Sequence, residues 1–166
     1  MSKKREEIEN LRDFFKPEKF IYSLSDEEIK NIFRDFFQEY IRRPNVEICA
    51  FINVREGKLK QHILVGDKKS VYHTTAKFMG GLVHTHPWDK ESGKYFSKKD
   101  LADDDTFVHA IIHRFNLTIA VRKKGWPDMR KYPKKSKKVY EAFINSNFLV
   151  RKLEFNKSDL PAWFFK

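Results

Sequence analysis

From Ser25 the chain reads Ser-Asp-Glu-Glu28 and then sets Ile29, Ile32, Phe33, Phe36, Phe37, Tyr40 and Ile41 at three- and four-residue spacing. That period gathers the apolar side chains into one helical stripe, and serine followed three places on by glutamate has the form of a capping box. Pro44-Asn45 break the period. A shorter helix upstream carries Ile8, Leu11, Phe14 and Phe15 and stops at Pro17. Beyond Pro44 the period changes to two: residues 46–54 alternate as a strand, and 59–65 return along it across Arg55-Glu56-Gly57 as a hairpin. Gly80-Gly81-Leu82-Val83-His84 reads as a buried strand whose glycines permit close backbone approach. Pro87 opens a polar loop to Phe96, expected to be exposed. Ser97 then reads as the N-cap of a helix running through Leu101, Val108, Ile111, Ile112 and Phe115. Residues 117–121 form the next strand, 134–145 a helix with Val139, Tyr140, Phe143 and Ile144 inward, and 148–155 a final strand.

This alternation predicts a single α/β domain, a mixed sheet sandwiched by helices, with a helical segment at 1–45 packed on a core at 46–166. The length of 166 residues suits one domain, and 40% hydrophobic content with 16 phenylalanines argues against disorder. No apolar run approaches the length of about 18 residues that crosses a bilayer, and the basic start Met-Ser-Lys-Lys-Arg-Glu-Glu has no apolar segment behind it. The expectation is therefore a soluble cytoplasmic protein. Cys49 is the only cysteine, which excludes an intramolecular disulfide and a cysteine-based structural zinc site. It shares a strand face with Glu47, where a small hydrophobe packs. A net charge of +11 attracts acidic proteins, nucleic acid or anionic membrane without choosing among them. The densest positive run, 134–138 with Arg122-Lys123-Lys124 nearby, reads as a solvated helix face. It lacks the interleaved glycines and aromatics of an RNA-binding sheet.

Chemistry concentrates between positions 84 and 100. His84 and His86 lie two apart on an extended segment and so project to one face, while Thr85 points away and packs. Asp100 supplies a third ligand from the first turn of a helix, where the macrodipole favours a carboxylate. Three protein ligands leave one position of a tetrahedral zinc open, as hydrolytic sites do. Asp103-Asp104-Asp105 reads as a solvated helix face, with Asp103 or Asp104 the substitute ligand if the preceding loop shifts the register. His62, His73, His109 and His113 lack such support. The last two lie four apart on the expected helix and read as structural.

His84-Thr85-His86-Pro87, a gap, and Ser97-Lys98-Lys99-Asp100, with Glu47 on an earlier strand in Val46-Glu47-Ile48-Cys49-Ala50-Phe51, resemble the JAMM (JAB/MPN) metalloprotease family. The resemblance covers about a third of the chain. Residues 88–96 make a longer gap than the family usually has, and the helices before Glu47 are additional to a core that usually opens with a strand. The resemblance implies a JAB/MPN-like, cytidine-deaminase-like fold. It also implies one catalytic zinc on His84, His86 and Asp100, with Glu47 as general base for an activated water and Ser97 donating to the oxyanion. Trp88 and Tyr95 are the candidate substrate-binding residues, as exposed aromatics lining the groove for a substrate tail. The implied activity is a peptidase or isopeptidase cleaving after the C-terminal tail of a ubiquitin-like protein. The implied setting is a stand-alone prokaryotic enzyme beside ubiquitin-like conjugation, sulfur-carrier or antiviral defence systems. Two alternatives stand beside it: a RadC-like nucleic-acid-associated module, motivated by the charge, and a non-catalytic MPN scaffold, disfavoured by the intact ligand set.

Overall fold

The computed structural model describes residues 3–60, 64–66, 80–102, 106–133 and 137–165. Three helices open the chain, α1 (Lys3–Phe15), the single turn α2 (Lys19–Tyr22) and α3 (Asp26–Arg42). Ser25 caps α3 as the sequence predicts: Glu28 N–H donates to its Oγ at 3.1 Å, and Ser25 N–H donates to Glu28 Oε1 at 3.1 Å. The stripe Ile29, Phe33, Phe36, Phe37 and Tyr40 is wholly buried. Each such side chain contributes about 1.5–3 kcal/mol on removal from water, far more than the propensity of the helix itself.

Among the described residues seven strands follow: β1 (Ile48–Asn53), β2 (Lys58–Leu59), β3 (Leu64–Val65), β4 (Gly80–Thr85), β5 (Val108–His113), β6 (Asn116–Arg122) and β7 (Phe148–Glu154). They form one mixed sheet in the order β2-β1-β4-β5-β6-β7, with β3 also pairing β1. Only β4 and β5 run parallel. The expected return strand is present as the two short pieces β2 and β3, and residues 61–63 lie outside the described residues. At Gly81 a Cβ would stand 2.7 Å from Ile52 Cβ, so the glycine lets β4 approach β1 closely.

Alternation along the strands divides the core. Ile48, Ala50, Ile52, Val83, Ala110 and Ile112 face α3 and belong to the larger hydrophobic cluster. The opposite face carries Ile111, Ala120 and Phe148, covered by α4 (Lys98–Leu101) and α5 (Lys137–Asn147) through Leu101, Phe143 and Ile144. No described helix is long and apolar enough to cross a membrane.

The long helix expected from Ser97 to Phe115 is not formed. Its start is correct, but α4 ends at Leu101, and residues 108–113 are the strand β5, buried at every position. Strand β5 lies parallel to β4 with packing on both faces, so it shows no alternation, and Val108, Ile111, Ile112 and Phe115 mimic a helical period by chance. His109 and His113 are consequently buried strand residues, not a helix-face pair. Helix α5 buries Phe143 and Ile144 but leaves Val139 exposed, against the inward position expected for it. Residues 134–136 and 103–105, and with them the aspartate alternatives, lie outside the described residues, as do His62 and His73.

Candidate metal centre

His84 is the fifth residue of β4 and His86 the first beyond its end, so both rings stand on the α4 face, 6.1 Å apart and nearly parallel. Thr85 points the other way, fully buried, and accepts a hydrogen bond from Ile48 N–H at 3.0 Å. Asp100 reaches the same place from the third position of α4. There the capping box holds it: Ser97 N–H donates to Asp100 Oδ2 at 2.7 Å, and Asp100 N–H donates to Ser97 Oγ at 3.1 Å. His86 Nε2 lies 3.2 Å from Asp100 Oδ2 and His84 Nδ1 3.7 Å from Oδ1. One ligand atom from each of the three residues falls within 4.8 Å of the others.

Two imidazoles and a carboxylate are a donor set that divalent zinc accepts. Donors around a tetrahedral ion stand about 3.3 Å apart, so a contraction of about 1.5 Å at most from the 4.8 Å limit would close the cluster on it. The three side chains are 11–14% exposed, which keeps one side of the cluster open to solvent. Among the described residues no other group of three such donors converges.

His86 is held at four points. Its N–H donates to Ile112 carbonyl at 3.0 Å, and its carbonyl accepts from Tyr40 Oη–H at 2.9 Å. Its ring Nδ1–H donates to Gly93 carbonyl at 2.6 Å, which leaves Nε2 as the atom turned to Asp100. Tyr40 also accepts from Arg114 N–H at 3.0 Å, and Arg114 has a left-handed backbone, φ 58°. Such a conformation is costly for arginine. It is retained here with the Arg114 side chain donating to Trp88 carbonyl and to Glu91. The chain from 86 to 93 is thereby tied to α3 and to the β5–β6 turn.

Burial first pushes Asp100 upward, but the hydrogen bond from His86 and the charges of His84 and His86 outweigh it and hold the carboxyl well below the usual range. His86 shows the complement: burial lowers its pKa, yet Asp100 raises it on balance. Glu47 moves the other way, pushed up to about 7 first by burial, with Asp100 adding to the rise and His86 opposing it. Strand register explains that coupling. Cys49 pairs with His84 across β1 and β4, and two more places bring Glu47 opposite His86 on the same face. Glu47 thus stands beside the cluster without belonging to it. Cys49 is buried beneath, its thiol pushed up to about 12 by burial and by Glu47.

The remaining expected site residues, Ser97, Trp88 and Tyr95, make the following contacts. Ser97 is exposed, and its Oγ serves as the cap of α4. The loop expected to be exposed at 88–96 contains a 3-10 turn at Glu91–Lys94 and buries Gly93 and Phe96. Trp88 is half-buried on the α3 side, edge-on to Phe115 at 5.6 Å and tilted against Tyr40 at 5.9 Å, so it does not line the ligand face. Tyr95 packs edge-on against Tyr140 at 5.0 Å and borders a cavity beside α5.

The sequence carries no signal for Gly93 and Arg114 as supports of His86, and it places Tyr40 only in the apolar stripe of α3. Gly93 has a structural signal that only the fold reveals: a Cβ there would stand 2.5 Å from the His113 ring. Comparison of the chain with protein-family models, with curated proteins and with solved structures finds no match in any of the three.

Proposed function

We propose that the chain is a zinc-dependent peptidase or isopeptidase of JAB/MPN type, cleaving after the C-terminal tail of a ubiquitin-like protein. The observation that carries this reading is the meeting of His84, His86 and Asp100 on one face with Glu47 held beside them at a pKa of about 7. His84 and His86 would hold the ion through ring nitrogens and Asp100 through its carboxylate. A bound zinc supplies a Lewis acid and lowers the pKa of water to about 7.

Glu47 takes a proton from the attacking water onto its carboxylate and later delivers it to the leaving amine nitrogen. A base titrating near the working pH suits both transfers, and burial moves Glu47 toward that range in the metal-free protein. Ser97 accepts from Asp100 N–H through its lone pair, which leaves its own O–H to donate to the developing oxyanion. Gly93 and Tyr40 orient His86 through backbone carbonyl contacts rather than by touching substrate. The partner is a ubiquitin-like protein or its conjugate, drawn in by the net charge of +11 where its surface is acidic. We place the activity in the cytoplasm, since the only cysteine, Cys49, is a buried free thiol.

Purified protein is expected to release product from a ubiquitin-like fusion. Glu47→Gln should reduce the rate by about 10²–10⁴-fold while zinc stays bound, and a chelator should abolish it. Cleavage that survives both treatments contradicts the reading.

A further inference from the structure

A cavity of about 400 Å³ opens on the ligand face between α5 and strands β6 and β7. That volume is in the range of sites that take small molecules or side chains. Its apolar part is made by Phe96, Ile144 and Val150, and tyrosines 95 and 140 stand at its wall. The wall is fixed in place, because Phe96 N–H donates to Tyr140 Oη at 2.8 Å and Tyr95 packs on Tyr140.

The charge is one-sided. Among the described lining residues Lys94, Lys137 and Lys152 stand against one acid, Glu141. None of the three lysines forms an ion pair among the described residues, and Lys94 Nζ instead stands 5.3 Å over the Tyr95 ring. The cavity therefore presents ammonium groups beside an apolar floor. Among the described residues its lining has no guanidinium fork and no glycine-rich loop, the devices that grip phosphate. Separated point charges over aromatic and aliphatic surface suit carboxylate side chains on a peptide.

Register gives the distance to the metal cluster. Thr118, in the cavity, pairs with Ile111, and Ile111 pairs with His84, all on one face. Two strand spacings make roughly 10 Å, which is about three residues of extended chain. Resting on the function proposed above, we infer that this cavity is a subsite for an acidic residue of the peptide substrate, about three residues from the bond that is cut.

The test uses the full chain, with and without zinc, titrated with an acetylated pentapeptide carrying glutamates and with its glutamine counterpart, followed by amide NMR shifts. The glutamate peptide is expected to shift Thr118, Ile144 and Val150 and to bind about tenfold tighter, a preference that fades with added salt. Both Lys137→Glu with Lys152→Glu and the milder Lys137→Gln with Lys152→Gln should remove that preference. These lysines are exposed, and the dispersion of amide signals in the free variants verifies folding. Equal binding of the two peptides, shifts confined elsewhere, or a preference that survives both double variants overturns the subsite.

In cleavage assays, glutamate at the third residue from the scissile bond should raise kcat/KM about tenfold over glutamine, with the ratio near one in either double variant. Absence of cleavage with the binding preference intact supports the subsite and removes the peptidase. Cleavage with no preference in either assay removes the subsite alone.

Discussion

On one face of the sheet Ile48, Ala50, Ile52, Val83 and Ile112 meet Phe33, Phe36 and Phe37 of α3, all buried and all carbon. One residue along the same strands, Cys49, His84, His109 and His113 face the other way, and Glu47 and His86 continue that row past the strand ends. The first face gains its free energy from contacts that are indifferent to ionisation. The second keeps ionisable groups that move in opposite directions, Glu47 raised by burial and Asp100 lowered by its histidine neighbours. Adjacent residues of one strand can therefore serve stability and chemistry separately, because the pleat sends them apart. The helix on the apolar side still reaches the polar one, through the Tyr40 hydroxyl on the His86 carbonyl.

The sharpest way to break this division is to remove one residue from each face. His86→Ala takes away one of three ligands and should abolish stoichiometric zinc binding in the folded variant, checked by equilibrium dialysis, while its metal-free stability falls only through the lost contact with Asp100. Phe37→Ala removes a buried ring stacked on Phe155 at 4.2 Å and should cost about 3–5 kcal/mol in denaturant unfolding. Its folded fraction should bind zinc normally. Loss of zinc binding in folded Phe37→Ala would show that the faces are not separable.

Tyr40→Phe probes the link between them. Orienting partners behind metal ligands are typically worth about 10–100-fold in affinity, and zinc affinity should fall by that order. The variant also leaves Arg114 N–H without its acceptor, at a cost of about 1–3 kcal/mol in stability. A stability loss with unaltered zinc affinity would reduce Tyr40 to a core residue.

The smallest expected effect concerns pH. In metal-free protein the Glu47 pKa is raised from 4.5 to about 7, so the folded state binds this proton more tightly than the unfolded chain. Its contribution is fully present below pH 4.5 and is lost as pH rises through about 7. Asp100 has the opposite sign: its depressed pKa gives stability above the ordinary carboxylate range that is lost on acidification. Glu47→Gln should flatten the decline in unfolding free energy between pH 4.5 and 7, and an unchanged profile would contradict the shift.

What the sequence reveals depends on whether a residue acts locally. The stripe and cap of α3 are legible because both are set by spacing within one helix. His84 and His86, by their spacing along one strand, and Ser97 as the N-cap of α4, by its place before the helix, are legible in the same local way. Strand β5 is not legible as a strand because one covered on both faces loses its period-two signal, leaving Ile111-Ile112 and its neighbours to imitate a helix. Tyr40, Gly93 and Arg114 are not legible as supports of His86 because they act over long range on backbone carbonyls or through a backbone conformation, and neither leaves a mark on residue type. Trp88, an aromatic beside a ligand, looked like a substrate contact and packs instead with Phe115.

The most direct measurement is anomalous diffraction at the zinc edge from crystals equilibrated with zinc. The account predicts one peak at about 2.0–2.2 Å from a ring nitrogen of His84, Nε2 of His86 and a carboxylate oxygen of Asp100, with Glu47 beside it but not bound. Ordered His84, His86 and Asp100 side chains with no peak among them, or a peak held by other residues, would contradict it.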